Sequence, residues 1–145
     1  MPTVSLADIT PAIALGPLDG RYRKDTADLV DHLSEAALNR NRITVEVEWF
    51  IHLAQNSVID GVRRLTEDEV TGLRDFAENF DAETIATLAA HEAVTVHDVK
   101  AVEYTIKEAL VDIGADDLSE LGHFCCTSED INNLSWALGI KGAPV

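Results

Sequence analysis

The chain has 145 residues, 46% hydrophobic and 26% charged, a balance that suits one globular domain and excludes an intrinsically disordered chain. Its formal charge of −15, from 26 acidic against 11 basic residues, excludes duplex nucleic acid and anionic membrane surfaces as partners, though not a small anionic ligand met by local donors. No apolar run approaches the roughly 18 residues of a membrane span, and the opening MPTVSLADIT has neither the basic nor the long apolar region of a signal peptide.

Residues 1–24 read as an irregular arm. Its GPLDGRYRK stretch combines the turn residues Pro17, Asp19 and Gly20 with three cations in four positions. A first helix is expected over Thr26–Asn39. In RITVEVEWFIHLAQ the alternation of valine and glutamate suggests a strand, but Ile43, Val47, Phe50 and Ala54 fall on one helical face, and length decides for helix.

Thr66 with Glu69 three residues on has capping-box spacing before a stripe of Val70, Leu73, Ala77 and Phe80. A short helix is expected over Ala82–His91. Val99, Val102, Ile106, Leu110 and Ile113 recur at helical steps, with Gly114 as a stop. A last helix is expected over Ser128–Lys141, with Ile131, Leu134 and Ala137 or Leu138 inward. These elements predict an all-α fold of about six helices.

Cys125 and Cys126, the two cysteines, have no metal-ligand spacing and read as reduced, small, buried hydrophobes. His32, His52 and His91 read as surface or half-buried residues without partners, and His123 as structural. Nothing in the spacing of His, Cys, Asp and Glu suggests a metal site or a cofactor loop.

Two junctions share a pattern: Thr95 with Asp98 three on, and Thr127 with Asp130 three on, each before an apolar run. Both are expected to cap helices. Both also carry more polar groups than a cap needs. Thr127 and Ser128 add two hydroxyls at a helix start, where free N–H groups favour an anion. Asn132 and Asn133, poor helix formers in the first turn, suggest polar contacts. His97 beside Asp98 supplies a group able to transfer a proton near neutrality. Arg21 and Tyr22 add a phosphate-matching fork and an aromatic ring.

The strings PLDGRYR at 17–23, VEVEWFIHLA at 45–54, HDVKAVEYTIKE at 97–108 and HFCCTSEDINNLSWAL at 123–138 resemble, in order and spacing, the adenylosuccinate lyases, a family of the fumarase/aspartase superfamily. The resemblance covers about residues 11–140. It implies an all-α N-terminal domain of that lyase fold, with residues 1–145 as one domain ending where a central helical bundle begins, and with the catalytic bundle and the C-terminal domain absent. It implies elimination of fumarate from adenylosuccinate to give AMP, and the same cleavage on the succinylated carboxamide ribotide, without a cofactor. Arg21 and Tyr22 would hold the phosphate end. His97 and Asp98 would lie beside the substrate, with His97 supporting the acid. Thr127 and Ser128 would donate to a succinyl carboxylate. Val96 stands where relatives often carry Asn or Arg, so at most its backbone contributes. The family's principal base, a serine in S-S-x-M-P-x-K-x-N, and its acid, a histidine in T-H-x-Q-x-A-x-P, have no counterpart in these 145 residues. The resemblance thus implies a cytoplasmic homotetramer with shared sites as the full-length protein, and an inactive fragment alone. The alternative is a free-standing helical nucleotide-binding module without catalysis; a related lyase with a different substrate is a third reading.

Overall fold

The structure, a computed structural model, describes residues 14–56 and 59–144. Among them there is no strand, and the all-α expectation holds. A 3-10 turn, Ala27–Leu29, leads into α1 (Val30–Leu33), α2 (Glu35–Gln55), α3 (Glu67–Glu78), α4 (Ala82–Thr95) and α5 (Asp98–Asp112). A second 3-10 turn, Asp116–Leu121, then precedes α6 (Ser128–Gly142). No helix among the described residues is long and apolar enough to cross a membrane.

The long α2 organises the rest, packing against α1, α3, α5 and α6. Its expected face of Ile43, Val47, Phe50 and Ala54 is fully buried, so the helical period prevails over the valine–glutamate alternation. Leu73 and Ala77 of α3, Leu88 of α4, and Val102, Ile106 and Leu110 of α5 complete one core around it. The 3-10 turn closes that core with Leu118 and Leu121.

The first expected helix is split. Ser34, at φ −73° and ψ 165°, stops α1 and caps α2 by accepting the Ala37 N–H at 3.2 Å. A side-chain oxygen that satisfies an orphan N–H lowers the cost of the new start. The cap at α3 forms as expected: Thr66 Oγ1 accepts the Glu69 N–H, and Glu69 Oε2 accepts the Thr66 N–H at 2.7 Å. Gly114 stops α5 at φ +78°. The fourth helix runs past the expected His91 to Thr95.

The inward face of α6 differs from the expected one. Leu134 and Leu138 are largely exposed, as is Ala137, while Ile131, Ser135 and Gly139 face inward at four-residue steps. Small residues win because α6 approaches the neighbouring backbone closely. Asn41 Nδ2 on α2 donates to Ser135 O at 3.1 Å, and a Cβ on Gly139 would lie 2.5 Å from the His32 carbonyl oxygen. Leucine has no room there.

Two further expectations change. Cys125 is exposed rather than buried and adopts φ +60°, while Cys126 is half-buried. Nor are the histidines all without partners. His52 stacks on Trp49, and His91 Nε2 lies 3.0 Å from Glu108 Oε1 without the geometry of a hydrogen bond. His123 is structural as expected, with Nδ1 2.5 Å from Glu46 Oε1.

Candidate functional site at two helix starts

The junction before α5 is built differently from its sequence pattern. Thr95 does not cap α5; it is the last residue of α4. Val96 follows in the left-handed region at φ 51°, which ends α4 and turns the chain within one residue. His97 is the cap: its Nδ1 accepts the Lys100 N–H at 3.2 Å. Thr95 instead braces the joint, accepting the His97 N–H at 3.3 Å and donating to the His97 carbonyl at 3.1 Å.

This geometry fixes a tautomer. A ring nitrogen that accepts a backbone N–H carries no proton, so the proton of neutral His97 sits on Nε2. The ring is half-exposed, and its N–H donor is on Nε2.

Asp98 is engaged on both oxygens. Oδ1 accepts the Val99 N–H at 2.8 Å and lies 3.7 Å from His97 Nδ1; Oδ2 lies 2.6 Å from Arg42 Nη2. Partial burial pushes its carboxyl up, but the Val99 N–H and the Arg42 guanidinium outweigh this and hold it below its ordinary value. Asp98 is thus a fixed carboxylate.

At the start of α6, Asp130 Oδ2 accepts both the Thr127 N–H at 2.7 Å and the Thr127 hydroxyl at 2.8 Å. These two bonds, backbone first, hold the Asp130 carboxyl low. Asp130 therefore takes the Thr127 proton that the sequence pattern offered to a ligand. The Ser128 hydroxyl and the Ser128 and Glu129 N–H groups have no hydrogen-bond partner among the described residues. They are the donors this helix start has free.

The two junctions are joined by a residue that sequence reasoning missed. Arg42 on α2 is 4% exposed. Its Nη2 reaches Asp98, its Nε donates to Asn132 Oδ1 at 2.9 Å, and its Nη1 donates to Asn39 Oδ1 at 2.8 Å. The expected polar role of Asn132 is real: its Nδ2 also donates to Glu129 Oε1 at 3.0 Å.

Arg21 and Tyr22 stand apart. Tyr22 N–H donates to Pro17 O at 3.0 Å in a turn, and the Arg21 guanidinium lies 5.0 Å from the Tyr22 ring centroid. Both side chains are exposed, and among the described residues neither pairs with the α5 or α6 starts. Val96 points its side chain into solvent at 88% exposure. A cavity of about 690 Å³ lies between α2 and α6 and reaches Asp130 at the α6 start, walled by Val45, Trp49, Cys126, Leu134 and Leu138. No group of three or more His, Cys, Asp and Glu side chains placed to hold a metal occurs among the described residues.

The fold and site thus define an all-α domain whose polar centre is a pair of helix starts tied to one buried arginine. No protein-family model matches the chain. It is 40% identical over 137 residues, 94% of its length, to adenylosuccinate lyase of Escherichia coli strain K12. It is 41% identical over 138 residues, 93% of its length, to adenylosuccinate lyase of Legionella pneumophila strain Corby. With adenylosuccinate lyase of Buchnera aphidicola subsp. Acyrthosiphon pisum the identity is 34% over 137 residues. Over its own length the chain is therefore a homologue of adenylosuccinate lyase, and it spans about 30% of the length of these relatives.

Proposed function

We propose that the chain is the N-terminal, substrate-binding domain of an adenylosuccinate lyase, a carbon–nitrogen lyase. The full-length enzyme would eliminate fumarate from adenylosuccinate to give AMP, and from succinylated aminoimidazole carboxamide ribotide. It would act in the cytoplasm as a homotetramer with shared sites. The observation that carries this reading is the identity of 34–41% to enzymes of that name along nearly the whole chain.

The residues suit the substrate's charges. Arg21 offers a fork to a phosphate, with Tyr22 beside it. His97 donates through Nε2, and Asp98 holds the junction's shape. Ser128 offers its hydroxyl and N–H to a succinyl carboxylate, joined by Thr127 when its hydroxyl turns from Asp130. Val96 contributes at most backbone. His97 supports the reaction by placing a donor; the groups that take the carbon-bound proton and protonate the leaving nitrogen lie outside residues 1–145.

The test is to assay both lengths. The full-length gene product is expected to convert adenylosuccinate to AMP and fumarate, and residues 1–145 are expected to do neither. No conversion by the full-length product rejects the lyase; turnover by residues 1–145 rejects the division of labour.

A further inference from the structure

We propose that Arg42 is a positioning residue. By holding Asp98 on α5 and Asn132 on α6 with one guanidinium, it sets the spacing between the His97–Asp98 junction and the Thr127–Ser128 junction. What those junctions bind rests on the lyase reading above; that they are held together does not.

Four observations carry the proposal. First, Arg42 sits on the central helix, which packs against both α5 and α6, so one residue there can fix both. Second, its three bonds run in different directions: Nη2 to Asp98, Nε to Asn132, and Nη1 to Asn39 one turn earlier on its own helix. The Asn39 bond fixes the fork, and the other two bonds use its rigid plane as a ruler. Third, each partner lies near a candidate substrate residue at its helix start: Asp98, the first residue of α5, adjoins His97, and Asn132 sits one turn after Ser128, the first residue of α6.

Fourth, the energetics point away from simple stabilisation. Burying a guanidinium costs it its hydration, which pairing with a carboxylate offsets only in good geometry. The Asp98 side chain is itself 43% exposed and would hydrate on its own. A methionine could fill the same space in the core. A buried charge that adds little stability, yet spans three helices through a directional fork, supplies geometry.

A lysine cannot replace it. An ammonium can meet Asp98 as a point charge, but it has no planar fork to hold Asn132 at a fixed angle at the same time.

The test has two arms. In the first, backbone amide NMR of residues 1–145 compares wild type with N132A and R42K. Asn132 does not itself bond to α5, so a purely local role confines the effect of N132A to α6. Under the proposal, N132A also shifts the Val99 and Lys100 amides, because the freed guanidinium moves, and R42K shifts both helix starts. Unchanged Val99 and Lys100 amides in N132A overturn the proposal, and the folded spectrum of that mild variant guards against a variant that fails to fold.

In the second arm, R42K in the full-length enzyme raises KM for adenylosuccinate about tenfold and lowers kcat less, because loosened binding groups weaken ground and transition states alike. Coupled amide shifts with an unchanged KM leave the tie standing and reject the substrate assignment of the junctions. An unchanged KM without coupled shifts rejects the tie itself.

Discussion

Val96 ends one helix at φ 51°, and His97, the next residue, caps the following helix through Nδ1. Two helices thus meet across a single left-handed residue, and the candidate site hangs on that joint. A β-branched residue is a poor choice for it. Its Cβ crowds the neighbouring carbonyl in the left-handed region, at a cost of about 1–2 kcal/mol.

V96N is therefore expected to stabilise the chain by about 1 kcal/mol, because asparagine tolerates this conformation and the exposed valine gives up no packing. V96G should gain less, since glycine also loosens the unfolded chain. Urea unfolding of the two variants measures this. A lower midpoint for V96N would show that Val96 is not strained.

His97 serves as cap and, in the proposed function, as ligand donor; the two roles separate by substitution. H97N keeps a good capping oxygen and should hold stability within about 0.5 kcal/mol, whereas H97A loses about 1 kcal/mol. Neither presents an imidazole Nε2–H. Both should therefore lower kcat/KM of the full-length enzyme by about 100-fold, the lower range for a missing proton-handling or donor group. If H97N retained full activity, the ring would be a cap and nothing more.

The contrast between these residues and Arg42 shows what the sequence makes legible. Periodicity exposes local order: Ile43, Val47, Phe50 and Ala54 mark the buried face of α2 despite the strand-like alternation beside them. Helix starts with extra donors are equally local, and Thr127–Ser128 and His97–Asp98 stand out before any fold is known. The exact cap is less visible, because Thr95 and His97 both have capping chemistry and only the left-handed Val96 decides between them.

Arg42 is hidden for a different reason. Its partners on α5 and α6 lie 56 and 90 residues away, so no spacing rule reaches them. One trace does exist. Leu38, Arg42 and Glu46 recur at four-residue steps, which sets two charges on a stripe that leucine marks as buried. The inward face of α6 fails on similar grounds, since the closeness of the His32 backbone, which selects Gly139 over leucine, is a tertiary fact.

That closeness gives a paired prediction. G139A adds a Cβ 2.5 Å from the His32 carbonyl oxygen, so backbone must shift. Overpacking costs about 1–3 kcal/mol, against about 1 kcal/mol that alanine gains over glycine in a helix. The variant should be less stable by about 1 kcal/mol. G142A meets instead the His32 ring at 3.0 Å, a side chain that can move, and should be neutral or slightly stabilising. Thermal unfolding of the pair distinguishes packing from propensity: equal shifts in Tm would mean that α6 does not approach α1 this closely.

Glu46 gives a pH-dependent prediction. It is 2% exposed, with Oε1 2.5 Å from His123 Nδ1, and Oε2 has no partner among the described residues. Desolvation raises its carboxyl above the ordinary 4.5; the hydrogen bond and charge of His123 oppose this, and the Glu103 carboxylate on α5 adds to it, leaving the net direction upward. The folded chain therefore holds this proton more tightly than the unfolded one. The stability this group contributes is complete below its unfolded value and is lost as pH rises through its raised folded value. E46Q keeps the shape and stays neutral, so its unfolding free energy relative to wild type should become more favourable as pH rises from about 4 to about 7. Urea midpoints across that range read the effect directly. Parallel pH profiles would mean that the Glu46 carboxyl titrates alike in the folded and unfolded chains, and that its burial costs the fold nothing.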